Sequence, residues 1–139
     1  MIAEMVGDLA GKRALVVGSG GAARAVAYAL KRLRVPFLVV SRSPGPGKIA
    51  YREIDASMMQ KFRLLINATP LGMGRFIRDC PDIPYHLLGK DHLLFDLIYN
   101  PSESLFLKKG REQGAQTEND LMMLQAQVEK DWEIWKNNE

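Results

Sequence analysis

The residues with the clearest chemical purpose in this 139-residue chain are Gly18-Ser19-Gly20-Gly21-Ala22-Ala23. Small residues at the first, third and sixth places of such a run suit a phosphate cradle. Gly18 permits a tight turn, Gly20 admits a pyrophosphate against the main chain, and Ala23 lets a helix pack on a strand. If a helix opens here, the N–H groups of Gly21 to Ala23 and the positive end of its dipole point at the phosphates. The same residues could also form a purely structural turn. Context separates the two readings, because G-x-G-x-x-A binds a dinucleotide where it follows a strand and opens a helix. Here Arg13-Ala14-Leu15-Val16-Val17 runs into Gly18, and an alanine-rich stretch from Ala22 to Leu33 leaves it.

Nucleotide preference should be decided at the end of the next strand, Phe37-Leu38-Val39-Val40. An NAD site usually places Asp or Glu there to accept hydrogen bonds from the ribose hydroxyls. This chain has Ser41, Arg42 and Ser43 instead. A carboxylate would repel a 2′-phosphate, whereas a guanidinium pairs with it through charge-assisted bonds and neighbouring hydroxyls donate as well. NADP is the expected cofactor, although Arg42 could also be an ordinary solvated surface residue.

Two further segments fall at carboxyl ends of expected strands, where open α/β sheets bind ligands. They are Asn67-Ala68-Thr69-Pro70-Leu71-Gly72-Met73 and Asp96-Leu97-Ile98-Tyr99-Asn100-Pro101. Each alone could be turn chemistry, with Asn67, Pro70 and Pro101 punctuating strands and helices. Together with Val16 to Arg24 and Ser41-Arg42-Ser43, in this order and spacing, they resemble the NADP domain of shikimate dehydrogenase. The resemblance runs over essentially the whole chain.

That resemblance implies roles residue by residue. The loop from Gly18 to Ala23 would hold pyrophosphate, and Ser41, Arg42 and Ser43 the 2′-phosphate. The Asn67 to Met73 loop, with Asn67, Ala68, Thr69 and Pro70, would line the nucleoside and nicotinamide side together with Leu97, and Tyr99 would lie near substrate. The family's Asn-Gly-Leu-x-Met-Leu pattern, with a glutamine three residues on, reads here Asn119-Asp120-Leu121-Met122-Met123-Leu124, then Gln127. Met123 would approach the nicotinamide and Gln127 the substrate hydroxyls. Asp120 departs from the family's glycine, and Met122 and Met123 could equally be core filling.

The implied reaction is reversible hydride transfer between NADP and the 3-position of shikimate or 3-dehydroshikimate, a step of aromatic amino acid biosynthesis. In this family a separate N-terminal domain binds shikimate and supplies the catalytic Lys and an Asp, and neither is found in this sequence. No catalytic residue is assigned, and the chain alone is expected to bind nucleotide with little or no turnover. A stand-alone, non-catalytic NADP-binding or regulatory module is the alternative, as is the nucleotide domain of a quinate/shikimate-type dehydrogenase. His86 and His92 read as surface or satisfied core residues. Cys80 has no accompanying His, and no metal-ligand spacing occurs.

These motifs need a scaffold of alternating strands and helices. Beyond the first βαβ unit, Lys48 to Tyr51 reads as an edge strand, Ala56 to Lys61 as a helix, and Leu64 to Ile66 as a strand halted by Asn67. Leu93 to Leu97 is an apolar strand of the kind covered on both faces. Glu103 to Glu112 is a helix ending at Gly114, Ala115 to Thr117 a last short strand, and Asp120 to Trp135 a long helix. The expected fold is α/β, a Rossmann-like doubly wound parallel sheet in a single domain over 1–139. Leu121, Leu124, Val128, Trp132 and Trp135 form a stripe that could pack on this sheet, cover a substrate domain or support a homodimer.

Composition agrees. With 47% hydrophobic and 25% charged residues the chain falls in the globular class rather than the disordered one. No apolar run approaches the roughly 18 residues that span a bilayer, and Met1 to Ala10 lacks the pattern of a signal peptide. A cytoplasmic location is expected, as is a reducing compartment for the single cysteine. The net charge of +3 comes from scattered residues, which argues against nucleic-acid binding.

Overall fold

In the computed structural model, residues 12–43, 45–97 and 103–119 are described. The expected helix from Asp120 to Trp135, with Met123 and Gln127, lies outside these residues, as does Tyr99. Six strands form one sheet: β1 (Arg13–Val17), β2 (Phe37–Val40), β3 (Lys48–Ile49), β4 (Phe62–Asn67), β5 (Leu93–Asp96) and β6 (Gln116–Glu118). Their spatial order is β3-β2-β1-β4-β5-β6, and every pairing is parallel. Among the described residues three α-helices connect them: α1 (Gly21–Arg32), α2 (Ala56–Lys61) and α3 (Leu105–Glu112).

Side-chain alternation along the strands builds two cores, one on each face. Ala14 and Val16 of β1, Leu64 and Ile66 of β4, and Leu93 and Phe95 of β5 point to one side and meet Ala23, Val26 and Leu30 of α1. The three- and four-residue spacing of those α1 positions keeps them on a single face. Leu15, Val17, Leu65 and Leu94 point the other way and meet Met59 of α2 and Phe106 and Leu107 of α3. Burial on both faces explains why the central strands are near-continuous apolar runs.

The element boundaries follow local hydrogen bonding. α1 begins at Gly21, one residue before the expected Ala22, because Gly20 takes the extended cap position and its carbonyl accepts from Arg24 N–H at 3.1 Å. α3 begins at Leu105 rather than Glu103, since the Ser104 hydroxyl accepts from Leu107 N–H at 3.3 Å and acts as N-cap. β4 extends from Phe62 through Asn67, past the expected Leu64 to Ile66. β3 is shorter than the expected edge strand, and Tyr51 instead opens a 3-10 turn at Tyr51–Glu53.

The strand order reverses at β1. From there the chain winds outward through β2 and β3, then returns to place β4 on the other side of β1. Connections leaving β1 and β4 diverge to opposite faces, so a crevice opens beyond their carboxyl ends.

Candidate functional site

A cleft of about 1350 Å³ occupies that crevice. Gly18 to Ala22 form its floor, Ser41 and Arg42 one side, and Ala68 to Leu71 with Leu97 the other. The three stretches are hydrogen-bonded to one another at their bases. Gly18 N–H donates to Val40 O at 2.8 Å, Ala68 N–H to Val17 O at 2.9 Å, and Leu97 N–H to Asn67 O at 3.4 Å.

The two glycines of the floor are small for different reasons. Gly18 has φ +113°, and a Cβ there would stand 3.0 Å from Ala68 O and 3.2 Å from Thr69 Cγ2. Both its conformation and the approach of the neighbouring loop require glycine. Gly20 has φ −82°, which any residue adopts, and a Cβ there meets no protein atom within 4 Å. The space over Gly20 is the cleft itself. Nothing in the protein's own packing demands glycine at that position.

The same reasoning applies to the end of α1. The amides of a helix's first turn have no partner within the helix, and α1 has neither a side-chain cap nor an acidic residue in that turn. Its N-terminus therefore presents bare N–H groups and a positive dipole end to the cleft, the requirements for an anion. Ala23, by contrast, is buried and joins the core beneath α1.

At the second wall, Ser41 is buried and its Oγ accepts from Ser43 N–H at 3.1 Å. That bond folds the backbone so that Arg42 and Ser43 are exposed at the rim, Arg42 on the cleft lining. Tyr51 stands nearby on the lining. Burial raises its phenol above the ordinary value, the charge of Arg42 opposes that rise and the carboxylate of Asp82 adds to it. A guanidinium, a neutral phenol and a carboxylate thus share one end of the cleft.

At the third wall, Asn67 is fully buried rather than facing the cleft. Its Oδ1 accepts from Thr69 N–H at 3.0 Å and from Thr69 Oγ1 at 2.6 Å, and its Nδ2 donates to Leu71 O at 3.2 Å. The side chain acts as a template on which the wall is folded, while Ala68, Thr69 and Pro70 reach the lining. Leu71 and Met73 of the expected Asn67 to Met73 loop also reach the lining, and beyond the expected residues it includes Phe76 and Cys80, along with Tyr51 and Asp82. These come from irregular segments brought in over long sequence separations, for which periodicity carries no signal. The buried Asp96, which also touches Asn67, likewise announced itself in the sequence only as part of a motif.

The remaining candidates are structural. His92 is buried, with Nδ1 accepting from Gly89 N–H at 3.1 Å and Nε2 within 2.7 Å of Met59 O. A backbone N–H can only donate and a carbonyl oxygen only accept, so the ring carries its proton on Nε2 and both nitrogens are used. His86 is exposed. Among the described residues no group of His, Cys, Asp or Glu is placed to hold a metal ion, and no helix is long and apolar enough to cross a membrane.

No family model matches the chain. It is similar, however, to the NADP(+) shikimate dehydrogenase of Desulforamulus reducens, at 36% identity over 90% of this chain and 49% of the relative. Among solved structures, a chorismate mutase/shikimate 5-dehydrogenase fusion protein from Clostridium acetobutylicum superposes with a TM-score of 0.71. The match has 33% identity over 99% of this chain and 52% of that one. A shikimate dehydrogenase in complex with NADP+ gives a TM-score of 0.65 at 30% identity, over 91% of this chain and 49% of the other. A quinate dehydrogenase from Corynebacterium glutamicum in complex with NAD gives 0.68 at 25%, over 84% and 46%. The chain is thus a homologue of shikimate dehydrogenases over at least nine-tenths of its own length, and it spans about half the length of the relatives it matches.

Proposed function

We propose that this chain is the nucleotide-binding half of a shikimate dehydrogenase, and that its cleft takes NADP. The observation that carries the proposal is the open cradle: Gly20 needs no small side chain for its own conformation or packing, yet it stands beneath the cleft at the bare end of α1. A pyrophosphate would lie against the amides of Gly18 to Ala22, the ribose end toward Ser41, Arg42 and Ser43, and the nicotinamide end toward Ala68, Thr69, Pro70 and Leu97. Tyr99, Met123 and Gln127 keep the roles that the resemblance implies. When bound, the nicotinamide supplies the hydride chemistry; this chain supplies orientation and the choice of cofactor.

Arg42 favours NADP over NAD, even though a structural neighbour was solved with NAD. Where a carboxylate would accept from ribose hydroxyls, this chain presents a cation. Calorimetric titration of the purified chain with NADP+ and NAD+ tests the assignment. NADP+ should bind more tightly by about tenfold or more, the scale of one charged hydrogen bond. Equal affinities would remove Arg42 from the argument, and no binding of either would overturn the reading.

A further inference from the structure

Asp96 ends β5, opposite Asn67 in the β4–β5 register, and neither residue lines the cleft. Asp96 is fully buried. Its carboxylate oxygens accept from Asn67 Nδ2 at 3.3 and 3.2 Å, and one of them also accepts from the Ser104 hydroxyl at the N-cap of α3. A buried carboxylate without donors is costly, and these groups point their protons at it.

This has a consequence for Asn67. An amide side chain has one donating end and one accepting end. With Nδ2 claimed by the carboxylate and by the Leu71 carbonyl at 3.2 Å, Oδ1 faces the other way, where Thr69 N–H and Thr69 Oγ1 donate to it. Thr69 Oγ1 then accepts from Leu71 N–H at 3.2 Å. The polarity of Asp96 is thereby passed through Asn67 to the 68–71 wall. That wall also packs its Ala68 carbonyl and Thr69 methyl over Gly18, so its position bears on the glycine floor as well.

We infer that Asp96 and Ser104 are positioning residues for the cofactor cleft, acting through the orientation they impose on the Asn67 amide. The inference rests on the cofactor reading above. Its distinctive expectation is a reciprocal rescue. Asp96→Asn sets two amides face to face, and Asn67→Asp sets two carboxylates face to face. The double variant restores one amide and one carboxylate with the direction reversed, and Asp at 67 can still accept from Thr69, although it no longer donates to Leu71 O.

The test uses the chain itself, with NADPH binding followed by fluorescence and backbone amide exchange followed by NMR. Each single variant should lose about tenfold in NADPH affinity, the scale of one hydrogen bond to a charged group, and the double variant should bind more tightly than either single while staying below wild type, because the bond to Leu71 O is not restored. Thr69 and Leu71 amide exchange should accelerate in the singles more than exchange in β1, which a general loss of stability would not produce. Ser104→Ala leaves the Asn67 pair intact and provides a milder variant if a single fails to fold; it should weaken binding by about threefold. Folded singles that bind like wild type, or a double no better than the singles, would overturn the inference. If the wild-type chain binds neither NADPH nor NADH, the cofactor reading fails instead, and selective exchange at Thr69 and Leu71 still decides whether Asp96 orders the wall.

Discussion

Gly18 and Gly20 are two positions apart, and alanine should affect them in opposite ways. At Gly18 a methyl group would have to share a left-handed backbone with the Ala68 carbonyl 3.0 Å away. Gly18→Ala should therefore lower stability by about 1–3 kcal/mol in chemical denaturation, the usual cost of a sparsely populated backbone region in a non-glycine residue. At Gly20 the methyl meets open space. Gly20→Ala should leave stability within about 1 kcal/mol, a weaker N-cap offsetting a less flexible unfolded chain, while reducing NADP+ affinity by tenfold or more if the methyl occupies pyrophosphate space (~1.4 kcal/mol). Arg42→Ala should weaken NADP+ by about 1.5–3 kcal/mol and leave NAD+ nearly unchanged, as comparative titration would show. The glycines and Arg42 were legible in the sequence because their chemistry depends on neighbours in the chain. Tyr51 and Asp82 were not, because what places them beside Arg42 is the course of the β3 and 71–85 segments.

Among the elements, strand runs and helical spacing gave the sheet and its three helices, with errors of a residue or two where a cap decided the boundary. The segment between β4 and β5 was less legible. It holds only 3-10 turns at Gly74–Phe76 and Tyr85–Leu87, tied by short-range bonds such as Gly72 N–H to Phe76 O at 2.8 Å. Its anchor is Tyr85, whose hydroxyl donates to Pro81 O at 2.7 Å and whose ring meets Phe106 of α3 edge-on. Burial pushes the Tyr85 phenol far above its ordinary value, with contributions from the adjacent Cys80. The unfolded chain therefore ionises this tyrosine first, and stability is lost as pH rises above about 10. Tyr85→Phe should cost about 1 kcal/mol at neutral pH for the missing hydrogen bond, yet flatten the fall of stability between about pH 10 and 11. Denaturation curves at the two pH values would show equal slopes if the residue does not anchor the segment. α3 is held by closer packing still. A Cβ on Gly110 would collide with Cδ2 of the buried Leu94, so Gly110→Ala should destabilise by about 1–3 kcal/mol despite its better helix propensity.

At the scale of the molecule, alternation of strand and helix together with the parallel crossover rule was enough to foresee a doubly wound sheet, and hence a crevice beside β1. The contents of that crevice now bear on turnover. Hydride exchange at an alcohol carbon requires a group beside the oxygen to take or give its proton. Among the described residues the lining contains neither lysine nor histidine; its ionisable side chains are Arg42, Tyr51, Cys80 and Asp82. A guanidinium does not release its proton in a protein, and burial raises the Tyr51 phenol above its ordinary value, so that it holds its proton more firmly. Arg42, Tyr51 and Asp82 gather at the end assigned to the 2′-phosphate. Shikimate dehydrogenases that match this chain are about twice its length, so a proton-transferring group can come from the half it does not match. The chain mixed with shikimate and NADP+ should accordingly bind cofactor and form almost no NADPH. Adding the unmatched half of a homologous shikimate dehydrogenase as a separate polypeptide should raise the rate well above either component alone. Rapid NADPH formation by the chain alone would show that the lining already contains its acid–base group. Saturable NADP+ binding with no gain on mixing would instead favour a nucleotide-binding module that does not serve this reaction.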